Sequence, residues 1–91
     1  MSCEEYLAKV KQLIATIGEQ LTSDEIAEVD HLVNHGEPAE GLRTLAWIIH
    51  DGKKSVSPDL VNAIFELTEG QIEEDHLPPN FRQYADSFKD N

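Results

Sequence analysis

Apolar residues recur along this chain in the three- and four-residue steps of a helix, and nowhere with the alternation of a strand over a useful length. Cys3, Tyr6, Leu7, Val10, Leu13, Ile14 and Ile17 fall on one side of a helix, with Glu5, Lys9, Gln12 and Thr16 opposite. Ser2 and Glu5 have the capping-box spacing that starts this helix at Cys3, and Gly18 offers a left-handed residue to end it at Ile17. Thr22 or Ser23, with Glu25 behind it, caps a second helix of about Asp24 to His35 that stops at Gly36. Its inward residues are Ile26, Val29, Leu32 and Val33.

Pro38 suits the first turn of a third helix, which runs to about His50 ahead of Asp51-Gly52 and turns Leu42, Leu45, Ala46 and Ile49 inward. Ser57-Pro58 repeats the arrangement for a fourth helix, about Pro58 to Glu69, closed by Gly70; Leu60, Val61, Ile64, Phe65 and Leu67 give it a wide apolar face. After an acidic stretch from Gln71 to His76, Pro78-Pro79 introduces a short last helix in which Phe81, Tyr84, Ala85 and Phe88 share a side. Short connections make successive helices antiparallel, so the expected fold is all-α, a compact bundle of four to five short antiparallel helices forming one domain over residues 1–91.

Ninety-one residues, 40% of them hydrophobic, are enough for one core without disulfide staples. No apolar run approaches the roughly 18 residues that a membrane span needs. The acidic start Met1-Ser2-Cys3-Glu4-Glu5 has neither the positive flank nor the apolar stretch of a secretory signal, and a single cysteine fits a reducing compartment; both point to the cytoplasm. Charge changes the picture most. Eighteen acidic residues against seven lysines and arginines give a net charge of −11, on a chain whose helical patterning argues for a folded body rather than an acidic tail. Such a surface repels nucleic acid and steers the chain toward a basic partner.

Catalytic patterns are lacking: there is no glycine-rich phosphate loop and no serine or cysteine nucleophile with a positioned base, so the chain reads as a non-enzyme without a cofactor. His31 and His35 stand at the i, i+4 spacing that zinc or nickel bridges, on the same face as Asp24 and Glu28. Without a third and fourth ligand this pair does not make a metal site. The third helix is sharper. Its outward stripe is Glu40, Arg43, Thr44, Trp47, His50 and Asp51, which sets the only tryptophan among polar residues. Either Trp47 is an interface anchor, or the segment from Phe81 to Phe88 covers it. Carboxylates extend this surface through Asp24 and Glu28 on the second helix and Glu66 and Glu69 on the fourth.

The stretch His31-Leu32-Val33-Asn34-His35-Gly36-Glu37-Pro38-Ala39-Glu40-Gly41-Leu42-Arg43-Thr44-Leu45 resembles small bacterial immunity proteins of polymorphic toxin systems, the MafI-like and contact-dependent-growth-inhibition immunity families. The similarity covers about Leu21 to Gly70. Gly41, where relatives would carry a helix former, departs from it and suggests close helix packing; no role transfers to Leu77-Pro78-Pro79-Asn80-Phe81. The resemblance implies an all-helical inhibitor that binds a cognate toxin domain one to one. Many such toxins are nucleases, with basic clefts that hold phosphates. The expected contact residues, taken from helical geometry, are Asp24, Glu28, Glu40, Arg43, Trp47, Asp51, Glu66 and Glu69. An acidic adaptor that recruits a basic partner without inhibiting it is the alternative.

Overall fold

Helix α1 begins where the Ser2 hydroxyl accepts the amide N–H of Glu5 at 3.1 Å, and it covers Cys3–Ile17. The computed structural model describes residues 2–88, and side chains through residue 85; the side chain of Phe88 therefore lies outside the described residues. Val10, Leu13, Ile14 and Ile17 of α1 are buried, whereas Cys3 is exposed and Tyr6 and Leu7 are half-buried, so the apolar stripe works only from its middle onward. Gly18 does not end the helix in a left-handed conformation: its φ is −54°, and the chain tightens into a 3₁₀ turn, Gly18–Gln20. That extra turn carries Leu21 into the core, with the Leu21 amide donating to the Gly18 carbonyl at 3.2 Å.

Helix α2, Ser23–Asn34, opens on a complete capping box in which Thr22 Oγ1 accepts from Glu25 N–H and Glu25 Oε1 accepts from Thr22 N–H. Two donors that the first turn would leave unpaired are thereby satisfied. At its end Gly36 takes φ 81°, and the Glu37 amide reaches back to the Leu32 carbonyl at 2.9 Å. This reversal sets α3, Pro38–Asp51, against α2. Gly41 makes the approach possible. A Cβ at Gly41 would stand 2.8 Å from Val33 Cγ2, closer than packed carbon atoms come, so only a hydrogen fits between the two helices.

Leu42, Leu45, Ala46 and Ile49 of α3 are fully buried and form the centre of the core. Each large aliphatic side chain there stabilises the fold by roughly 1.5–3 kcal/mol relative to exposure. Helix α3 ends at Gly52, yet the glycine is not its left-handed residue. Gly52 stays right-handed at φ −83°, and Lys53 takes φ 52° while the Lys53 and Lys54 amides donate to the carbonyls of His50 and Ile49. This is a Schellman ending displaced by one residue from the glycine.

Helix α4, Pro58–Thr68, is capped by the Ser57 hydroxyl, which accepts from the Leu60 amide. It lays Leu60, Val61, Ile64, Phe65 and Leu67 on α1 and α3 and on the chain's C-terminal segment. Buried Thr68 returns its hydroxyl hydrogen to the Ile64 carbonyl, and no buried side-chain polar atom among the described residues is left unpaired. A turn with Gly70 at φ 79° follows, then a 3₁₀ turn, Glu74–His76. The last segment, Phe81–Phe88, is a 3₁₀ helix, not an α-helix. Asn80, at φ 61°, breaks the path from Pro78-Pro79, and i→i+3 bonds from Phe81 to Pro78 and from Gln83 to Asn80 launch the tighter winding. Phe81 and Ala85 nevertheless reach the core. Tyr84 donates its hydroxyl to the Lys54 carbonyl at 2.7 Å, with the Ile49 carbonyl 3.1 Å away, and so ties the segment to the end of α3. Among the described residues there are four α-helices and no strand, and no helix is long and apolar enough to cross a membrane.

Candidate functional site

The second and third helices bring four of the eight expected contact residues together. Glu28, Arg43, Trp47 and Asp51 line one open hollow of about 440 Å³, with Glu25, Thr44 and Ile48 between them. The close approach at Gly41 positions them, because it holds α2 and α3 near enough for both to face one depression. Glu40 stands beside this group, its carboxylate 2.8 Å from Arg43 Nε. Asp24 is exposed on the first turn of α2 and does not line the hollow. Glu66 on α4 and Glu69 just past its end are exposed and border a different depression, lined also by Phe65, Thr68 and Leu77. The expected surface therefore consists of two regions rather than one stripe.

Trp47 is neither free nor core. Its ring is half-buried, its Nε1–H donates to the His76 carbonyl at 2.9 Å, and His50 meets it edge-on at 5.9 Å. The contacts that hold it come from His50 on its own helix and from the turn ending at His76. The indole forms a wall common to two hollows: the acidic one on α2 and α3, and one of about 550 Å³ lined by Phe65, Leu77, Pro78, Pro79 and Phe81. This second hollow was not expected from sequence. Pro78-Pro79 is the signal that marked it, a rigid pair between buried Leu77 and buried Phe81.

Electrostatics separate the two hollows. In the acidic one, Arg43 is the cation in the lining and is engaged by Glu40, while Lys54, outside the lining, is engaged by Glu25 at 3.0 Å. Glu25 is held below its ordinary carboxyl pKa, first by the hydrogen bond from the Thr22 backbone and then by Lys54. Asp51 faces only His50, at 3.2 Å, and Glu28 has no ion pair among the described residues. In the second hollow Arg82 lies 4.1 Å above the Phe65 ring centroid and pairs with Glu74 at 2.6 Å. Its charge is offset by Glu74, so the hollow keeps an apolar wall of Phe65, Leu77, Pro78, Pro79 and Phe81 with the carboxylate of Asp75 at its edge.

His31 and His35 stack with ring centroids 4.2 Å apart, and His35 Nδ1 lies 2.7 Å from the His31 carbonyl, so that nitrogen carries the hydrogen and is occupied locally. The grouping of metal-ligand type among the described residues lies elsewhere, at exposed Glu73, Asp75 and His76, whose ligand atoms fall within 4.8 Å of one another. Compared with protein-family models, with curated proteins and with solved structures, the chain finds no match.

Proposed function

We propose that this chain is an immunity-type inhibitor: it binds a basic toxin domain one to one in the cytoplasm, most plainly a nuclease, and blocks it without doing chemistry itself. The observation that carries this reading is a tryptophan fixed half-exposed by a hydrogen bond, beside carboxylates whose local cations are already used up. A large side chain immobilised before binding contributes contact area with little ordering cost, which is what an interface anchor requires. Surrounding carboxylates speed encounter with a positive cleft, and on contact they replace substrate phosphates as partners of lysine and arginine.

Among the described side chains, Glu25, Glu40 and Glu74 pair with a lysine or arginine and Asp51 lies beside His50, while the remaining described carboxylates form no ion pair. Most of the negative charge thus has no internal partner and favours an external one. The resemblance of the His31–Leu45 stretch to immunity proteins supplies the class of that partner.

Co-expression with the product of an adjacent toxin-like gene, purification, and an RNA or DNA degradation assay test the reading. The expected result is a 1:1 complex in which degradation stops, with affinity falling steeply as salt rises. A complex whose nuclease remains active would instead establish the adaptor reading. Binding indifferent to salt would remove the electrostatic role of the acidic face.

A further inference from the structure

The geometry points to a two-part docking surface divided by Trp47, whose occupant is a segment of a basic protein carrying an apolar side chain next to an arginine or lysine. This deepens, and rests on, the reading of the chain as a binder of a basic partner. On one side of the indole, the hollow of α2 and α3 has Ile48 in its lining and Glu28 and Asp51 as carboxylates without a lysine or arginine partner. On the other side, Leu77, Pro78, Pro79 and Phe81 form an apolar wall; Arg82 is spent on Glu74, and Asp75 at the edge of this hollow adds a further negative charge rather than a positive one. A purely basic ligand would leave the second hollow filled with water against apolar atoms. A purely apolar ligand would leave the carboxylates of the first without a counter-charge.

The apolar wall and the dividing indole are set before any partner arrives. Pro78 and Pro79 have fixed φ, Leu77 and Phe81 are anchored in the core, and the Trp47 N–H is tied to the His76 carbonyl, so the apolar wall and the indole need little ordering to receive a ligand. The shared indole places the two subsites one ring apart. One ligand segment can therefore engage both, with its cation beside the indole and its apolar group against the prolines.

Two small probes test this on the isolated chain by ¹H–¹⁵N correlation spectra: N-acetyl-arginine amide and N-acetyl-leucine amide. The arginine probe is expected to move the amides of Glu28, Asp51 and Gly52 together with the Trp47 indole signal. The leucine probe should move Leu77, Asn80 and Phe81 and the same indole. In a Glu28→Gln/Asp51→Asn double variant that keeps the wild-type spectrum elsewhere, arginine binding should weaken about tenfold while leucine binding stays unchanged. If arginine shifts spread evenly to Glu66, Glu69 and the α1 carboxylates, or survive the double variant, the two-part surface is wrong. That result is separate from the degradation assay: an active nuclease with an intact probe map sinks the toxin reading alone.

Discussion

The indole N–H of Trp47 and the carbonyl of His76 are joined at 2.9 Å across 29 residues of sequence, and this bond fixes the half-buried ring to the turn that leads into the Pro78-Pro79 wall of the proposed docking surface. Removing the donor while keeping the ring separates the two jobs. Trp47→Phe is expected to cost about 1 kcal/mol in urea unfolding, the net worth of one hydrogen bond, and to leave the fold intact. Trp47→Ala should weaken binding of the cognate partner by about 2 kcal/mol or more, as for a central anchor. Equal affinities for wild type and Trp47→Ala would show that the indole only braces the turn.

Gly41 and Val33 form a second pair with a measurable coupling. The Cβ of Gly41→Ala would overlap Val33 Cγ2 at 2.8 Å, with the Val29 carbonyl also 3.4 Å away. Alanine gains about 1 kcal/mol of helix propensity over glycine, but overpacking a close helix contact costs about 1–3 kcal/mol. A stiff valine has no free rotation with which to retreat. Gly41→Ala is therefore expected to destabilise the fold, and to do so less in a Val33→Ala background. A double-mutant cycle with no coupling would mean that α2 and α3 separate freely, and the acidic hollow would then have no fixed shape.

Gly41 illustrates how far the fold could be read without coordinates. Its cost inside a helix is visible in the sequence and signals a close approach, as do the caps at Ser2, Thr22 and Ser57, because each rests on contacts within a few residues. Buried Leu42, Leu45, Ala46 and Ile49 follow from the same short-range periodicity. Gly18 misleads for a complementary reason: glycine permits a left-handed stop but does not compel one, and the burial of Leu21 goes with a tighter local path; at the end of α3, likewise, the left-handed residue is Lys53 rather than Gly52. The candidate site was half legible. Helical geometry groups Arg43, Trp47 and Asp51 on one face, yet no local pattern says that the His76 turn closes on Trp47, or that Glu66 and Glu69 face another depression. Those are tertiary facts, set by where the chain runs after Gly70.

Lys53 bears the cost of the misplaced glycine. A β-carbon in the left-handed region raises the energy by roughly 1–2 kcal/mol, and glycine at that position avoids it at the expense of some unfolded-state entropy. Lys53→Gly should stabilise the chain by about 0.5–1 kcal/mol, read as a higher urea midpoint with unchanged slope. Gly52→Ala should do the reverse, since its Cβ would press the Ile48 carbonyl at 2.9 Å. If both variants destabilise, the Lys53 side chain has a role at the end of α3 that its backbone conformation conceals.

Glu25 links stability to pH at the edge of the proposed site. Its carboxyl accepts the Thr22 amide and faces Lys54 Nζ at 3.0 Å, and both contacts hold its folded pKa below the ordinary value. A carboxyl lowered on folding contributes stability that is complete above its unfolded pKa, about 4.3, and is lost as pH falls through the lower folded value. Glu25→Gln should consequently be less stable than wild type at neutral pH, with the gap closing steadily once the pH drops below about 4. Lys54 in the variant would lose its carboxylate while staying mostly covered, at 16% side-chain exposure, and would turn to the nearby acidic hollow for a counter-charge. Binding of a basic partner should then weaken along with stability at neutral pH. A stability gap that persists at pH 2 would assign the effect to capping geometry alone, and an unchanged affinity would show that Lys54 keeps out of the hollow.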